Sequence, residues 1–154
     1  MARVPCLVGL NSPEYPQIPG FAARGRVIKR ILVADDHAST RRSVRTLITQ
    51  RSDLEVCAEA ADGLDAVEKA KALSPDVAIL DLAMEGLNGV EVAAAIRASN
   101  PNTFVIAASM YDVEPLFGRL QNVGMKGFIS KNHLATELLP AIDAVLAGRS
   151  WFPT

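Results

Sequence analysis

Asp35 and Asp36 close the apolar run ILVA, and Asp81 closes a second run, VAIL. Ser109 ends a third, FVIAAS, and Lys131 follows a fourth, GFIS. Singly these residues say little. An acidic pair after a strand is commonly a helix cap, and a lone Ser or Lys is an ordinary surface residue. Together they form a chemical set. Two carboxylates about 5 Å apart repel by roughly 3 kcal/mol at an effective dielectric of about 20. Three in one place therefore call for a cation. An all-oxygen set suits a hard ion, Mg²⁺ or Mn²⁺; Mg²⁺ keeps several waters and accepts phosphate oxygens. A carboxylate beside such an ion can attack a phosphoryl group and form an aspartyl phosphate. The ion, an ammonium and a hydroxyl then hold the transferred oxygens. Asp81 is the expected nucleophile, and its apolar strand is a rigid mount.

That chemistry needs a scaffold that brings the run ends to one rim. From about residue 28 strands alternate with helices. RILVAD, LEVCAEA, DVAIL, TFVIAAS and GFIS read as strands. SVRTLI places Val44, Leu47 and Ile48 at helical spacing,. GLDAVEKAKAL turns Val67 and Ala70 inward and pairs Asp65 with Lys69 four residues apart, worth a few tenths of a kcal/mol,. GVEVAAAIRAS ends before Pro101,. Leu116, Phe117, Leu120 and Val123 mark a fourth helix. Leu138, Leu139, Ile142, Val145 and Leu146 mark a fifth, with Pro140 expected early in it and Gly148 as its stop,. Three strands are apolar throughout, as when helices cover both faces of a parallel sheet. The expected fold is α/β, a doubly wound five-stranded parallel sheet with right-handed crossovers. Five strands fit the order 2-1-3-4-5. In that order the first and third strands are neighbours, so Asp35, Asp36 and Asp81 share one rim, where ligands bind in such sheets.

Composition narrows the classes. The chain has 154 residues, enough for one buried core, and is 49% hydrophobic but only 5% aromatic,. The core is therefore expected from Ala, Val, Leu and Ile. A net charge of -1 points to neither nucleic acid nor membrane as a direct partner,. Cys6 and Cys57 make no disulfide framework, and reduced thiols follow, with Cys57 as a buried strand residue,. No apolar run approaches membrane-spanning length, and MARVPCLVGL is a poor secretion signal, so a cytoplasmic location is expected,. Residues 1–27 read as an N-terminal extension of mixed Pro, Gly and polar content,. His37 and His133 are not expected to ligate metal, because no Cys/His cluster accompanies them,. Arg41, Arg42 and Arg45 read equally well as a solvated helix face or a docking surface,.

The stretches ILVADDHASTRRSVRTLI, DVAILDLAMEGLNGVEVAAAIR, VIAASM and GMKGFISK resemble the receiver domain of two-component response regulators, a flavodoxin-like fold. The resemblance covers residues 28–148, and AGRSWFP in the tail 149–154 is similar to the end of receivers of the NarL/FixJ (LuxR-type) subgroup, before their linker. No helix-turn-helix segment follows here, so no direct nucleic-acid contact by this chain is implied. The resemblance implies that Asp81 accepts phosphoryl from a histidine kinase, a phosphotransfer protein or a small phosphodonor. It implies Asp36 and Asp81 as metal ligands, Asp35 as a ligand mostly through water, and the backbone carbonyl of Ala83 as another. Ser109 and Lys131 would each hold a phosphoryl oxygen. Ser109 and Phe128 would form the switch that reshapes the surface of the fourth helix, fifth strand and fifth helix. Such a protein signals stoichiometrically rather than turning over a substrate, although it accelerates its own phosphorylation and hydrolysis. Receivers of this subgroup often pair through exposed helix faces, so a homodimer is among the expectations. The chain is then a stand-alone receiver or the receiver part of a transcription regulator.

Three departures bear on these roles. Glu85 stands where the family usually has Pro, which puts an added carboxylate near the expected metal site. Phe128 lacks the hydroxyl of the commoner Tyr. Ala83 and Tyr111 flank the expected path of hydrolytic water, and slow loss of phosphate is expected. The alternative reading is a pseudo-receiver, an unphosphorylated protein-interaction module on the same fold. An aspartate-based phosphatase usually carries a second Asp two residues after its nucleophile, where this chain has Ala83. A flavin-binding protein would need a phosphate cradle where DDHAST places two carboxylates,.

Overall fold

Each apolar run becomes a strand of one parallel sheet. The computed structural model describes residues 27–111 and 113–153. The extension expected over 1–27 lies outside the described residues apart from Val27, and so does Cys6. The elements are β1 (Lys29–Ala34), α1 (Ala38–Thr49), β2 (Leu54–Ala60), α2 (Gly63–Leu73), β3 (Val77–Asp81), α3 (Gly89–Ser99), β4 (Phe104–Ser109), α4 (Phe117–Asn122), β5 (Gly127–Ser130) and α5 (Leu134–Leu146). The strand order is β2-β1-β3-β4-β5, and every pairing is parallel. This is the expected doubly wound order.

The strands are apolar on both sides because each side meets helices. Leu32, Ala34, Ala78 and Leu80 pack with Val67, Ala70, Val92, Ile96 and Leu120 of α2, α3 and α4. Ile31, Val33, Val77 and Ile79 pack on the other face with Val44, Ile48, Leu138, Ile142 and Val145 of α1 and α5. Each fully buried Leu or Ile contributes roughly 1.5–3 kcal/mol. The rim residues are therefore carried by the most constrained part of the molecule.

The helix starts are capped where the cap residue has no other duty. Asp62 accepts from the Asp65 N–H at the start of α2, and Asn88 accepts from the Glu91 N–H at the start of α3. Each is worth about 1 kcal/mol. The Asp65–Lys69 pair forms at 2.7 Å.

Three details differ from expectation, and a fourth adds to it. Cys57 is only half-buried, on the edge strand β2 where the β1–β2 register shifts between Ile31 and Leu32,. The fourth helix is short: Glu114–Leu116 form a 3₁₀ turn containing Pro115, Val123 is already the C-cap, and Leu116 is exposed. Pro140 stands inside α5 rather than early in it. Trp151 pairs with Gly127 in an isolated parallel bridge along β5, donating to the Lys126 carbonyl and accepting from the Phe128 N–H.

Candidate functional site

The parallel register fixes which strand ends meet. Ala34 is the partner of Leu80, so Asp35 and Asp81 emerge side by side from adjacent strands. Asp81 is the partner of Ala108, so Ser109 lies one residue further along the same rim. Ser109 pairs with Ser130, which places Lys131 at the next step.

Asp35 and Asp81 are both buried, each only 3% exposed. Burying two carboxylates without compensation is prohibitive. The Lys131 ammonium compensates both, with Nζ 2.6 Å from Asp35 Oδ2 and 3.1 Å from Asp81 Oδ2. The remaining oxygens are also used. Asp35 Oδ1 accepts from the His37 N–H at 2.8 Å, and Asp81 Oδ1 accepts from the Ala83 N–H at 3.1 Å. Burial pulls the Lys131 ammonium down, but Asp35 and then Asp81 outweigh it and hold it above its usual range,.

Asp36 sits beside this pair on the solvent side, with Oδ1 2.9 Å from His37 Nδ1. Donor atoms of Asp35, Asp36, His37 and Asp81 all lie within 4.8 Å of one another. Three carboxylates against one ammonium leave two negative charges unbalanced, the charge of a divalent ion. The donor set thus fits such an ion in number, sign and ligand type.

The expected set Asp35, Asp36, Asp81 and Lys131 converges, and Ser109 stands buried on the same rim, its Oγ accepting from the Tyr111 N–H at 3.0 Å. Glu85 does not join the carboxylate cluster. It lines a shallow groove with Asp62, Leu64 and Glu68. Tyr111 is 73% exposed. Phe128 is buried, with its ring 5.2 Å from that of Phe117, which in turn lies 5.4 Å from Phe152.

Two participants escaped the sequence reading. His37 brings a ring nitrogen into the cluster although no Cys or second His accompanies it. Arg41 does not project freely from α1: its Nη1 donates to the Asp35 carbonyl at 2.6 Å, and its Nε lies 3.4 Å from Glu59. Arg45 also pairs with Glu59. Arg41 thus ties the acidic loop to β2. Its position one turn into the helix after the acidic pair is the available signal, but Glu59 becomes its neighbour only once β2 lies beside β1. Asp35 and Asp36 do not cap α1. The N-cap is His37, without a side-chain bond, since Asp35 is committed to the cluster.

Comparison with known proteins agrees with this geometry. The family model for the response regulator receiver domain matches residues 31–143. Oxygen regulatory protein NreC of Staphylococcus aureus is 39% identical over 124 residues, covering 79% of this chain and 57% of that protein. The chain spans about three fifths of the length of the curated relatives it matches. Among solved structures, a LuxR-family two-component response regulator from Aurantimonas superposes with a TM-score of 0.76 at 31% identity, covering 80% of this chain and 89% of that one. The signal receiver domain of the response regulator NarL from Mycobacterium tuberculosis superposes with a TM-score of 0.75 at 35% identity, covering 79% and 98%. No helix among the described residues is long and apolar enough to cross a membrane. With the strand order, the acidic rim and these relatives in agreement, the chain belongs to the response regulator receiver domain family, in its NarL/FixJ branch.

Proposed function

We propose that Asp81 is the phosphoacceptor of a two-component switch and that its donor is a histidine kinase, a phosphotransfer protein or a small phosphodonor. In the step from a phosphohistidine, an Asp81 carboxylate oxygen forms the new P–O bond as the P–N bond breaks. The departing imidazole keeps the bonding pair and takes a proton from solvent. Lys131 turns its ammonium from the free carboxylates to a transferred oxygen, and the Ser109 hydroxyl donates to another. Asp36, Asp81 and the Ala83 carbonyl are the residues that would hold a divalent ion directly, with Asp35 mostly through water. When bound, Mg²⁺ supplies neutralisation of the phosphoryl charge.

One observation carries this reading: the Lys131 ammonium is shared between buried Asp35 and Asp81 at 2.6 and 3.1 Å. A structural ion pair needs one carboxylate per cation. Here a second buried carboxylate and the adjacent Asp36 leave the site short of positive charge, which favours an ion and a phosphoryl group over a purely structural role.

The switch would run from Ser109 to Phe128 and outward. Phe128 packs on Phe117 at the head of α4, so a shift of either ring is felt on the α4–β5–α5 face. That face is our candidate output surface, and a homodimer through exposed helix faces is our candidate assembly. The longer relatives include an oxygen regulatory protein; by analogy this chain would act as the receiver part of a transcription regulator, with no nucleic-acid contact of its own.

The test is incubation with acetyl phosphate, and separately with beryllofluoride, with and without Mg²⁺. Intact mass should rise by one phosphoryl group in the presence of Mg²⁺ only, and Asp81→Asn should abolish the gain. Uptake by Asp81→Asn at the parental rate sinks the proposal. No uptake by the parent chain leaves a receiver-fold interaction module in its place.

A further inference from the structure

Among the described metal-ligating groups of the rim, His37 supplies the one nitrogen donor beside carboxylate oxygens. Its Nδ1 lies 2.9 Å from Asp36 Oδ1 and 3.3 Å from Asp35 Oδ1, and shares the 4.8 Å envelope with Asp81. A point central to four atoms so spaced is at most about 3 Å from each, and a contraction of about 1 Å brings N and O donors to ordinary bonding distance of about 2.0–2.2 Å. The imidazole is free to make that movement, because its side chain is 67% exposed. It is also aimed correctly: the nitrogen facing the carboxylates is the one nearest the backbone, and the His37 N–H is already pinned to Asp35 Oδ1 at 2.8 Å. With the ring proton on solvent-facing Nε2, the Nδ1 lone pair points into the cluster.

Ligand softness then decides between ions. Mg²⁺ prefers oxygen and parts reluctantly with its waters, so it gains little from a nearby imidazole. Co²⁺, Ni²⁺ and Zn²⁺ bind imidazole well. We propose that His37 is a direct metal ligand of this site for borderline transition ions, so that the cluster selects them over Mg²⁺. The proposal rests on the reading that the carboxylate cluster binds a divalent ion at all, and the experiment separates the two.

The whole chain, free of any polyhistidine tag, is titrated with Mg²⁺ and with Co²⁺ by calorimetry, and the visible absorption of Co²⁺ is followed. His37→Gln removes the donor at a solvent-exposed position, and His133→Gln serves as control, since His133 faces Glu137 on α5. The parent chain should bind Co²⁺ at least about 10-fold more tightly than Mg²⁺. His37→Gln should lose about 10-fold or more in Co²⁺ affinity and change the cobalt spectrum, while its Mg²⁺ affinity stays within about 2-fold. His133→Gln should match the parent with both ions. Equal losses for both ions, or an unchanged cobalt spectrum in His37→Gln, overturn the role of His37 while leaving the cation site intact. Failure of both ions to bind the parent chain overturns the cation site and this proposal with it.

Discussion

Replacing Lys131 with Met tests whether the rim is held by charge. The methionine fills similar space without the ammonium. Asp35 and Asp81, each 3% exposed, then face one another with nothing positive between them. Removing one partner of a buried ion pair costs about 3–5 kcal/mol, because the remaining charge stays desolvated. Here two carboxylates lose the same partner, so the upper part of that range applies. For a domain of this size each kcal/mol moves Tm by about 2–4 °C, so the expected fall is roughly 8–20 °C. The lysine pKa is raised in the folded state above its ordinary value of 10.5. Its stabilising share is therefore complete below that value and is lost only as pH rises through the folded one. From the lysine's side, the deficit of the variant should be constant across the neutral range. Divalent ions give the second half of the test. If the cluster accepts a dication, millimolar Mg²⁺ supplies the missing charge, and the variant should recover more of its stability than the parent gains. Urea or thermal unfolding, with and without Mg²⁺, reads both quantities. A fall in Tm below about 3 °C means that the carboxylates are not the charged, desolvated pair argued here. A large fall that Mg²⁺ does not relieve more than in the parent refutes the claim that the ion and the ammonium serve the same charges.

Two further predictions follow from the scaffold. A Cβ at Gly89 would lie 2.7 Å from the Asp81 carbonyl oxygen and 2.8 Å from Leu82 Cα, both backbone atoms. Gly89→Ala should therefore cost about 1–3 kcal/mol and slow phosphoryl uptake, against a helix-propensity gain of about 1 kcal/mol; an unchanged urea midpoint and uptake rate would count against the close approach. The Arg51 guanidinium is held above its usual range first by Asp53 and then by Asp143, joining the end of α1 to α5. Because the pairs are substantially exposed, Arg51→Met should cost no more than about 1 kcal/mol, and 1 M salt should remove most of the difference; a loss insensitive to salt would point to packing instead.

The parts of this protein that were legible in its sequence are those where burial leaves no choice. Strands covered on both faces must be apolar throughout, so β1, β3 and β4 announced themselves, and the strand count selected an order that puts Asp35 beside Asp81. Once two carboxylates are forced together, a cation is required, and Lys131 at the end of β5 is the one the rim supplies. Local pattern failed where an adjacent residue interrupted it or a neighbour distant in sequence outbid it. The apolar spacing from Leu116 to Val123 suits one continuous helix, yet Pro115 and the lack of cover over Leu116 leave a 3₁₀ turn and a short α4. Asp35 and Asp36 had the right identity and place to cap α1, but the cluster claims them, and the helix starts at His37 without a cap bond. The same cause hid the role of Arg41. A search for grouped Cys and His does not find His37, whose Nδ1 lies within 4.8 Å of oxygens of three carboxylates,. Rules that assign charge runs to solvent overlook a guanidinium whose acceptors are a loop carbonyl and a glutamate of β2. For Asp35 and Arg41 the determining partners, Lys131 and Glu59, come from other strands or their ends, so those contacts exist only after the strand order does. The order itself is set by apolar burial, to which these polar residues contribute nothing. The fold therefore comes first and the site is read from it, which is why substitutions at Arg41 or His37 should alter the rim while leaving the sheet in place.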